Sequence, residues 1–274
     1  MKIYDCFTFY NELDLLDIRL KELYNAVDHF VIVEATTTFQ NKPKALYLKD
    51  NWDRYAQYHD KIIHIVVEDM PLAEDPWSNE RFQRDAIMRG LVDANPADLA
   101  IIGDVDEIIR AEVVARIRRD PAQIYGFRMP YFNFKFNYML IDNWETYCVW
   151  TMASRVGLIT SPEELRRTRQ NLNSLEFGYA DDNVEVVEHA GWHFTYLGDS
   201  EFVKNKITSF SHNELNDLPI DVDDSIKNNL GFNRNDPRKF VTVKIDAYFP
   251  TSIRRYTQHI IDHETASSAR QYLP

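Results

Sequence analysis

The stretch that most constrains the fold is 98–109, where a short apolar run is followed at once by a group of carboxylates. The mostly apolar run at 99–103 predicts a strand that is buried on both faces, as strands of parallel sheets are. Asp104, Asp106 and Glu107 then follow directly. Because open α/β sheets bind their ligands at the carboxyl ends of the strands, this stretch predicts a parallel α/β sheet with a binding site at one edge.

The spacing of Asp104 and Asp106 favours a metal site. Where the chain is still extended, side chains two positions apart point to the same side, so both carboxylates can converge. Two like charges at short distance repel each other unless a cation or a proton relieves them. Oxygen ligands of this kind suit Mg²⁺ or Mn²⁺. A solvated acidic turn that caps the next helix is an alternative that the motif alone leaves open.

The first part of the chain alternates strands with helices. Strands are predicted at 2–9, 29–33, 61–67 and 98–103, and helices at 11–27, 51–59 and 74–95. This order predicts parallel neighbouring strands in a doubly wound α/β half. At the carboxyl ends of its first two strands, a nucleotide base and ribose could be held by Phe7, Phe9, Asn11 and Glu34. Core packing and helix capping also explain these residues without a ligand.

Two arginines follow in the predicted helix at 74–95. Arg81 and Arg84 are three positions apart, and therefore lie on one helix face. They can reach a phosphate group or the acidic end of the strand at 98–103. A solvated face on which they pair with Glu80 and Asp85 is the alternative.

The second half of the chain has a different character. Aromatic residues crowd 124–140, and the alternation from Tyr131 onward predicts long antiparallel strands. Rings and amides on such strands could form a platform for carbohydrate, and an aromatic core is the alternative. Strand-like sequence continues through 144–159, and Ser161 is the predicted N-cap of a basic helix.

Composition and missing motifs exclude several classes of protein. A net charge of -12 argues against nucleic acid or an anionic membrane as a partner, because both select for basic surfaces. Two cysteines are too few for a disulfide framework, and no apolar run approaches the roughly 20 residues that span a bilayer. With no signal-peptide pattern, the expected location is the cytoplasm. Dinucleotide-binding, P-loop and nucleophile-elbow motifs are also missing from the sequence.

Several blocks of the sequence resemble glycosyltransferase family 17, in the order of the family. They are 4–16, 30–35, 79–84, 104–108, 191–198 and 209–214. Two features depart from the family pattern: Ile109 stands where a proline is usual, and the membrane anchor of the animal enzymes is missing. The missing anchor leaves an N-glycan acceptor in doubt and affects the donor less.

The resemblance implies a GT-A-type, Rossmann-like mixed sheet and a particular reaction. The expectation is a single domain over 1–274, with a nucleotide-binding half at 1–110 and an acceptor half with C-terminal helices at 111–274. The implied activity is a metal-dependent, inverting transfer of a sugar, with N-acetylglucosamine expected, from a UDP-sugar to a glycan or glycoconjugate. Asp106 and Asp104 would hold Mn²⁺ or Mg²⁺, unless Asp104 contacts the ribose instead.

The same resemblance suggests partners for the diphosphate. His193 is the candidate for a further metal or phosphate contact, and a buried histidine with satisfied hydrogen bonds is the alternative. Lys206, Arg81 and Arg84 are candidates to complement the charge of the diphosphate.

Inversion also requires a general base at the acceptor hydroxyl. Glu214 fits this role by type and position, and His212 lies two positions before it. A surface glutamate is the alternative. Glu107 is a second carboxylate to consider, but beside the metal its preferred role is to orient the loop. The alternative function is a catalytically inactive protein of the same fold that binds a nucleotide sugar or a carbohydrate. A metal-dependent phosphodiesterase lacks the further ligand clusters that two metals need.

Overall fold

The structure is a computed structural model that describes residues 1–119, 121–141, 144–173, 183–211, 217, 219–232, 235–236, 238–262 and 266–273. Its strands are β1 (Ile3–Thr8), β2 (His29–Ala35), β3 (Ile62–Val67), β4 (Leu99–Asp104), β5 (Glu107–Ile109), β6 (Ile124–Asn133), β7 (Tyr138–Ile141), β8 (Tyr147–Arg155), β9 (Val184–Val187), β10 (Gly191–Thr195), β11 (Lys239–Lys244) and β12 (Ser267–Ser268).

The α-helices of the described residues are α1 (Leu13–Leu23), α2 (Tyr47–Asp50), α3 (Pro76–Asp85), α4 (Ala111–Arg119), α5 (Pro162–Arg167), α6 (Arg169–Asn173), α7 (Ser200–Ile207) and α8 (Val222–Lys227). Shorter 3-10 helices lie at Trp52–Tyr58, Ala86–Gly90, Trp144–Thr146, Val156–Leu158, Thr251–Arg255, Thr257–His259 and Ala269–Tyr272. Within these ranges, every helix is too short or too polar to cross a membrane.

The first four strands form the parallel sheet that the sequence predicts. Their order is β3-β2-β1-β4, and each neighbouring pair is parallel. In this register Thr8 lies beside Val33 on one side and beside Asp104 on the other. The carboxyl ends of β1, β2 and β4 therefore meet at one edge of the sheet. The predicted α/β fold class is confirmed.

Antiparallel strands extend this sheet into a mixed one. β8 pairs antiparallel with β4, and β6 pairs antiparallel with both β8 and β7, as the aromatic stretch predicts. β10 pairs parallel with β6 and antiparallel with β5. The second of these pairings sets His193 beside Glu107. The result is the Rossmann-like mixed sheet that the GT-A-type prediction describes.

Both faces of the parallel sheet are covered by apolar side chains. Ile3 and Phe7 of β1 belong to the core cluster that includes Leu16 of α1, whereas Cys6 packs with Ile87 on the other face. All seven aromatic side chains of the stretch at 124–140 are also buried, namely Tyr125, Phe127, Tyr131, Phe132, Phe134, Phe136 and Tyr138. For all of them except Tyr131, which also lines a cleft, the core, and not a carbohydrate platform, is the correct interpretation.

Two predicted helices are shorter than the sequence suggests. The helix predicted at 74–95 ends as α3 at Asp85 and continues only as a 3-10 turn to Gly90. A Cβ atom at Gly90 would lie 2.4 Å from a methyl group of Val31, so the chain approaches β2 closely there. The helix predicted from an Asn11 cap begins at Leu13, with Glu12 in the cap position.

Candidate functional site

The side chain of Arg19, on α1, holds the backbone of the acidic loop at 104–107. The Arg19 side chain is fully buried and forms two hydrogen bonds, of 2.6 and 2.8 Å, with the carboxylate of Asp5. Its Nη1 atom also donates to the carbonyl oxygens of Asp104 at 2.7 Å and Glu107 at 2.8 Å. One buried guanidinium therefore holds the backbone of the loop against α1 and β1.

Asp104 is surrounded by donors. Its Oδ1 atom accepts from Arg84 Nη2 at 3.1 Å and from Thr8 Oγ1 at 3.2 Å, and its Oδ2 atom accepts from Arg166 Nη2 at 2.5 Å. Burial opposes ionisation of Asp104, but the charges of Arg166 and Arg84 outweigh it and hold its pKa well below the usual range. Because both oxygens are engaged, this environment favours loop ordering over metal ligation.

Asp106 has a different set of neighbours. Its Oδ2 atom accepts from Lys206 Nζ at 3.0 Å, and its Oδ1 atom lies 3.7 Å from Nε2 of His193. The same ammonium group lies 3.2 Å from Glu12, which leaves Lys206 with two anionic partners. Asp106 Oδ1 thus faces the imidazole and is the oxygen available for another ligand.

His193 is suited to bind a metal ion. Burial lowers its pKa, although the charge of Asp106 acts in the opposite direction, so the imidazole is neutral at neutral pH. A neutral imidazole carries a lone pair on one ring nitrogen. The Nδ1 atom of His193 is buried and has no hydrogen-bond partner among the described residues.

Glu107 completes a possible ligand cluster, but its carboxylate is already committed. Asp106, Glu107 and His193 offer ligand atoms that lie within 4.8 Å of one another. Glu107, however, accepts two hydrogen bonds from Arg166, at 2.5 and 2.7 Å, and one from Thr151 at 2.8 Å. It also accepts the backbone N–H of Asp104 at 3.2 Å. These contacts suit a residue that orders the loop, as the sequence interpretation preferred.

Two pockets meet at the acidic loop. One lies at the carboxyl ends of the first strands, has a volume of about 50 Å³ and includes Phe9 and Lys44 in its lining. The other is a cleft of about 660 Å³ on the side of β6, β8 and β10. Both are lined by Asp104, Asp106, Lys206 and Phe210. Since ligand sites typically measure about 300–1,000 Å³, the smaller pocket has room for only part of a nucleotide.

The structure brings many of the predicted site residues to this loop. Phe9 lines the smaller pocket, and Arg84 reaches Asp104. The remaining members of this group are Asp104, Asp106, His193 and Lys206.

Other predicted residues lie elsewhere. Phe7 is in the core, where its ring packs 4.2 Å from the Arg19 guanidinium. Glu34 is buried and accepts the backbone N–H of Leu48 at 3.1 Å. Arg81 is on the surface, where it pairs with Asp75 at 3.0 Å. Asn11 lines a third pocket, which reaches from Arg54 to Lys206. The positions of Phe7, Glu34 and Arg81 give no support to a nucleotide contact.

The predicted base and its neighbour, Glu214 and His212, lie outside the described residues. Their roles stay predictions.

Sequence reasoning missed several residues of the site, among them Arg169 and Trp150, which line the cleft. Arg166 and Arg169 are three positions apart in the basic stretch after Ser161, which is the same signal that identified Arg81 and Arg84. Glu12 gave no signal, because an acidic residue at a helix start is expected from capping alone. Trp150 gave no sequence signal either, because its position in the cleft depends on the pairing of strands from distant parts of the chain.

Comparisons with known proteins agree with the sequence pattern. The profile of glycosyltransferase family 17 matches residues 1–218. A β-1,4-mannosyl-glycoprotein 4-β-N-acetylglucosaminyltransferase from Homo sapiens is 30% identical over 107 residues, which cover 36% of this chain and 20% of that protein. The aligned part is therefore about a fifth of that relative's length.

Likeness to solved structures is weak. The bifunctional glycosyltransferase WbbM has a TM-score of 0.35 and 8% identity, with 69% of this chain and 38% of that chain covered. The inositol-1-phosphate CTP transferase from T. maritima has a TM-score of 0.35 and 10% identity, with 80% of this chain and 98% of that chain covered. Scores this low carry no argument about function.

Proposed function

Because the chain belongs to glycosyltransferase family 17, we propose that it transfers a sugar from a UDP-sugar to a glycan or glycoconjugate, with inversion and with the help of a divalent metal ion. N-acetylglucosamine is the proposed sugar, since the human relative is named for its transfer. The observation that carries the proposal is the position of Asp104, Asp106 and Lys206, which line both the small pocket and the large cleft. A donor that reaches from one pocket into the other passes this group.

In this arrangement the nucleoside lies toward the smaller pocket and the transferred sugar toward the cleft. The diphosphate then lies beside Lys206, whose burial and ion pairs fix it in one position. Arg84 and Arg166 keep Asp104 ionised and the loop ordered, so that a ribose hydroxyl or a phosphate meets a prearranged set of groups.

The donor set at the loop fits Mn²⁺ or Mg²⁺. Asp106 offers Oδ1, and the neighbouring neutral imidazole of His193 offers a ring nitrogen. When bound, such an ion neutralises the charge that develops on the leaving diphosphate. Asp104 has both oxygens engaged by Thr8 and the two arginines, so we assign the metal to Asp106 and His193.

The cleft is proposed to bind the acceptor. Aromatic rings suited to sugar faces line it, namely Tyr131, Trp150, Tyr196 and Phe232. Inversion requires a base on the side of the sugar that faces away from the diphosphate, and Glu214 remains our proposed base.

The proposal is tested by release of UDP. The protein is incubated with UDP-N-acetylglucosamine and MnCl₂, with and without EDTA, and UDP is quantified by chromatography. We expect slow Mn²⁺-dependent hydrolysis without an acceptor, which Asp106→Ala abolishes and Asp69→Asn, a change on the exposed surface, leaves intact. Binding of UDP without any turnover of nucleotide sugars would favour the inactive binding protein instead.

A further inference from the structure

Arg169 is the cation of the cleft with the weakest anionic partner. Its described contacts are a hydrogen bond from Nη1 to the Trp150 carbonyl at 3.1 Å and a 3.7 Å approach to Glu107. Glu107 is already held by two shorter hydrogen bonds from Arg166. Most of the donors of the Arg169 guanidinium are therefore available.

The other cations that line the cleft have closer anions. Arg166 pairs with Asp104 and Glu107, each at 2.5 Å. Lys206 pairs with Asp106 at 3.0 Å, and Arg238 pairs with Asp236 at 2.6 Å. Among the described lysine and arginine residues of the lining, Arg169 alone lacks an anion within 3.5 Å.

The surroundings of Arg169 compensate its charge only in part. Burial and then the charge of Arg166 lower its pKa, and the charges of Glu107 and Asp104 oppose this shift without cancelling it, so the local field disfavours the positive charge. Even so, 25% of the side chain is exposed, and it lines the cleft. An anion that enters the cleft can therefore reach the guanidinium and relieve this field.

A second donor lies close by. The Arg169 guanidinium lies 5.6 Å from the centre of the Trp150 ring, which also lines the cleft. The Nε1 atom of Trp150 is buried and has no hydrogen-bond partner among the described residues. An indole N–H is a donor only, so its missing partner is an acceptor atom.

We propose that the acceptor is an anionic sugar, and that Arg169 binds its carboxylate or phosphate group in the cleft. The inference rests on the proposed function and deepens it by naming the acceptor class. Arginine suits this role because its planar fork matches two oxygens of a carboxylate or phosphate at once. Trp150 contributes a ring face to the sugar and an N–H to one of its oxygens.

Calorimetry with simple sugars tests the proposal. D-glucuronate, D-glucose 6-phosphate and D-glucose are titrated into the full chain, once alone and once with saturating UDP and MnCl₂ to fill the donor side. We expect at least one of the two anionic sugars to bind about tenfold or more tightly than glucose, the gain of a charged hydrogen bond. Arg169→Gln should remove this preference, Arg169→Lys should keep part of it, and Arg167→Gln, on the exposed part of the same stretch, should leave it unchanged.

Three results would overturn the inference. In the first, wild-type protein binds neither anionic sugar more tightly than glucose. In the second, the preference survives in Arg169→Gln. In the third, Arg169→Gln weakens binding of UDP with Mn²⁺ and leaves the sugar preference intact, which would assign Arg169 to the donor diphosphate. Failure of the proposed function is seen separately, as absence of UDP binding by wild-type protein, because the sugars are also measured without UDP.

Discussion

Arg19 Nη1 lies 2.7 Å from the carbonyl oxygen of Asp104, and the same guanidinium is paired with Asp5 in a fully buried ion pair. The contact connects α1 and β1 to the loop that carries the proposed chemistry. The Arg19 side chain lines neither pocket, so its influence on activity must pass through the loop backbone that it holds. It is a positioning residue.

Arg19→Met should destabilise the protein by about 3–5 kcal/mol, because it leaves Asp5 buried without a partner. The double variant Arg19→Met with Asp5→Leu should recover most of that loss, since apolar replacements of a buried pair are often close to neutral. Denaturant unfolding measures both. If the loop depends on Arg19, the double variant regains stability but not turnover; recovery of both would contradict the positioning role.

Asp106→Ala should abolish transfer while the fold stays intact. Lys206 keeps Glu12 as an anionic partner at 3.2 Å, so no buried charge is left alone. Mutation of a residue that only supports a metal ligand typically lowers activity by roughly 10–100-fold. Because Asp106 is a proposed ligand itself, we expect a larger loss of turnover. UDP release and the melting temperature are measured on the same sample. Near-normal turnover of this variant in EDTA would show that the metal mechanism is wrong.

UDP with Mn²⁺ should raise the melting temperature, because a ligand that binds only the native state stabilises it by mass action. At a ligand concentration of about 100 times Kd the gain is ~2.7 kcal/mol. GDP and NAD at equal concentration should give much smaller shifts in the same fluorimetric scan. Equal shifts with all three would remove support for a uridine donor.

Glu214→Gln should keep binding of UDP and metal but lower transfer by roughly 10²–10⁴-fold, the usual span for a lost general base. His212→Ala should cost less, because the proposed base is Glu214 and His212 is only its neighbour in the sequence, two positions earlier. Transfer rates and UDP affinity are measured for both. A Glu214→Gln variant with a normal transfer rate would move the base to another residue.

The parallel half of the fold follows from local patterns. Apolar strands that alternate with amphipathic helices leave few other arrangements, and all four predicted strands appear within one or two residues of their predicted bounds. The helix predicted at 74–95 was too long. The close approach of Gly90 to Val31 is a tertiary contact, and hydrophobic periodicity alone does not predict such contacts.

The sequence predicts the acidic loop of the site, but it does not predict which basic side chains pair with each carboxylate of that loop. Asp104 and Asp106 are equivalent as a sequence pattern; they differ because Arg84 and Arg166 reach one and Lys206 reaches the other. Arg81 and Arg84 were predicted to share one helix face. Because three residues advance a helix by about 4.5 Å along its axis, the two side chains lie at different heights, and only Arg84 reaches the end of β4 at Asp104. Such choices depend on contacts between distant segments.

The most direct test of the account is Mn²⁺ binding by electron paramagnetic resonance, in the presence of saturating UDP. Wild-type protein should bind one Mn²⁺ per chain. Asp106→Ala and His193→Ala should each weaken binding of this ion by more than about tenfold. Asp104→Asn should largely keep it, because the Asp104 oxygens are engaged by Thr8, Arg84 and Arg166. Unchanged Mn²⁺ binding in Asp106→Ala, or a loss in Asp104→Asn as large as in Asp106→Ala, would contradict the account.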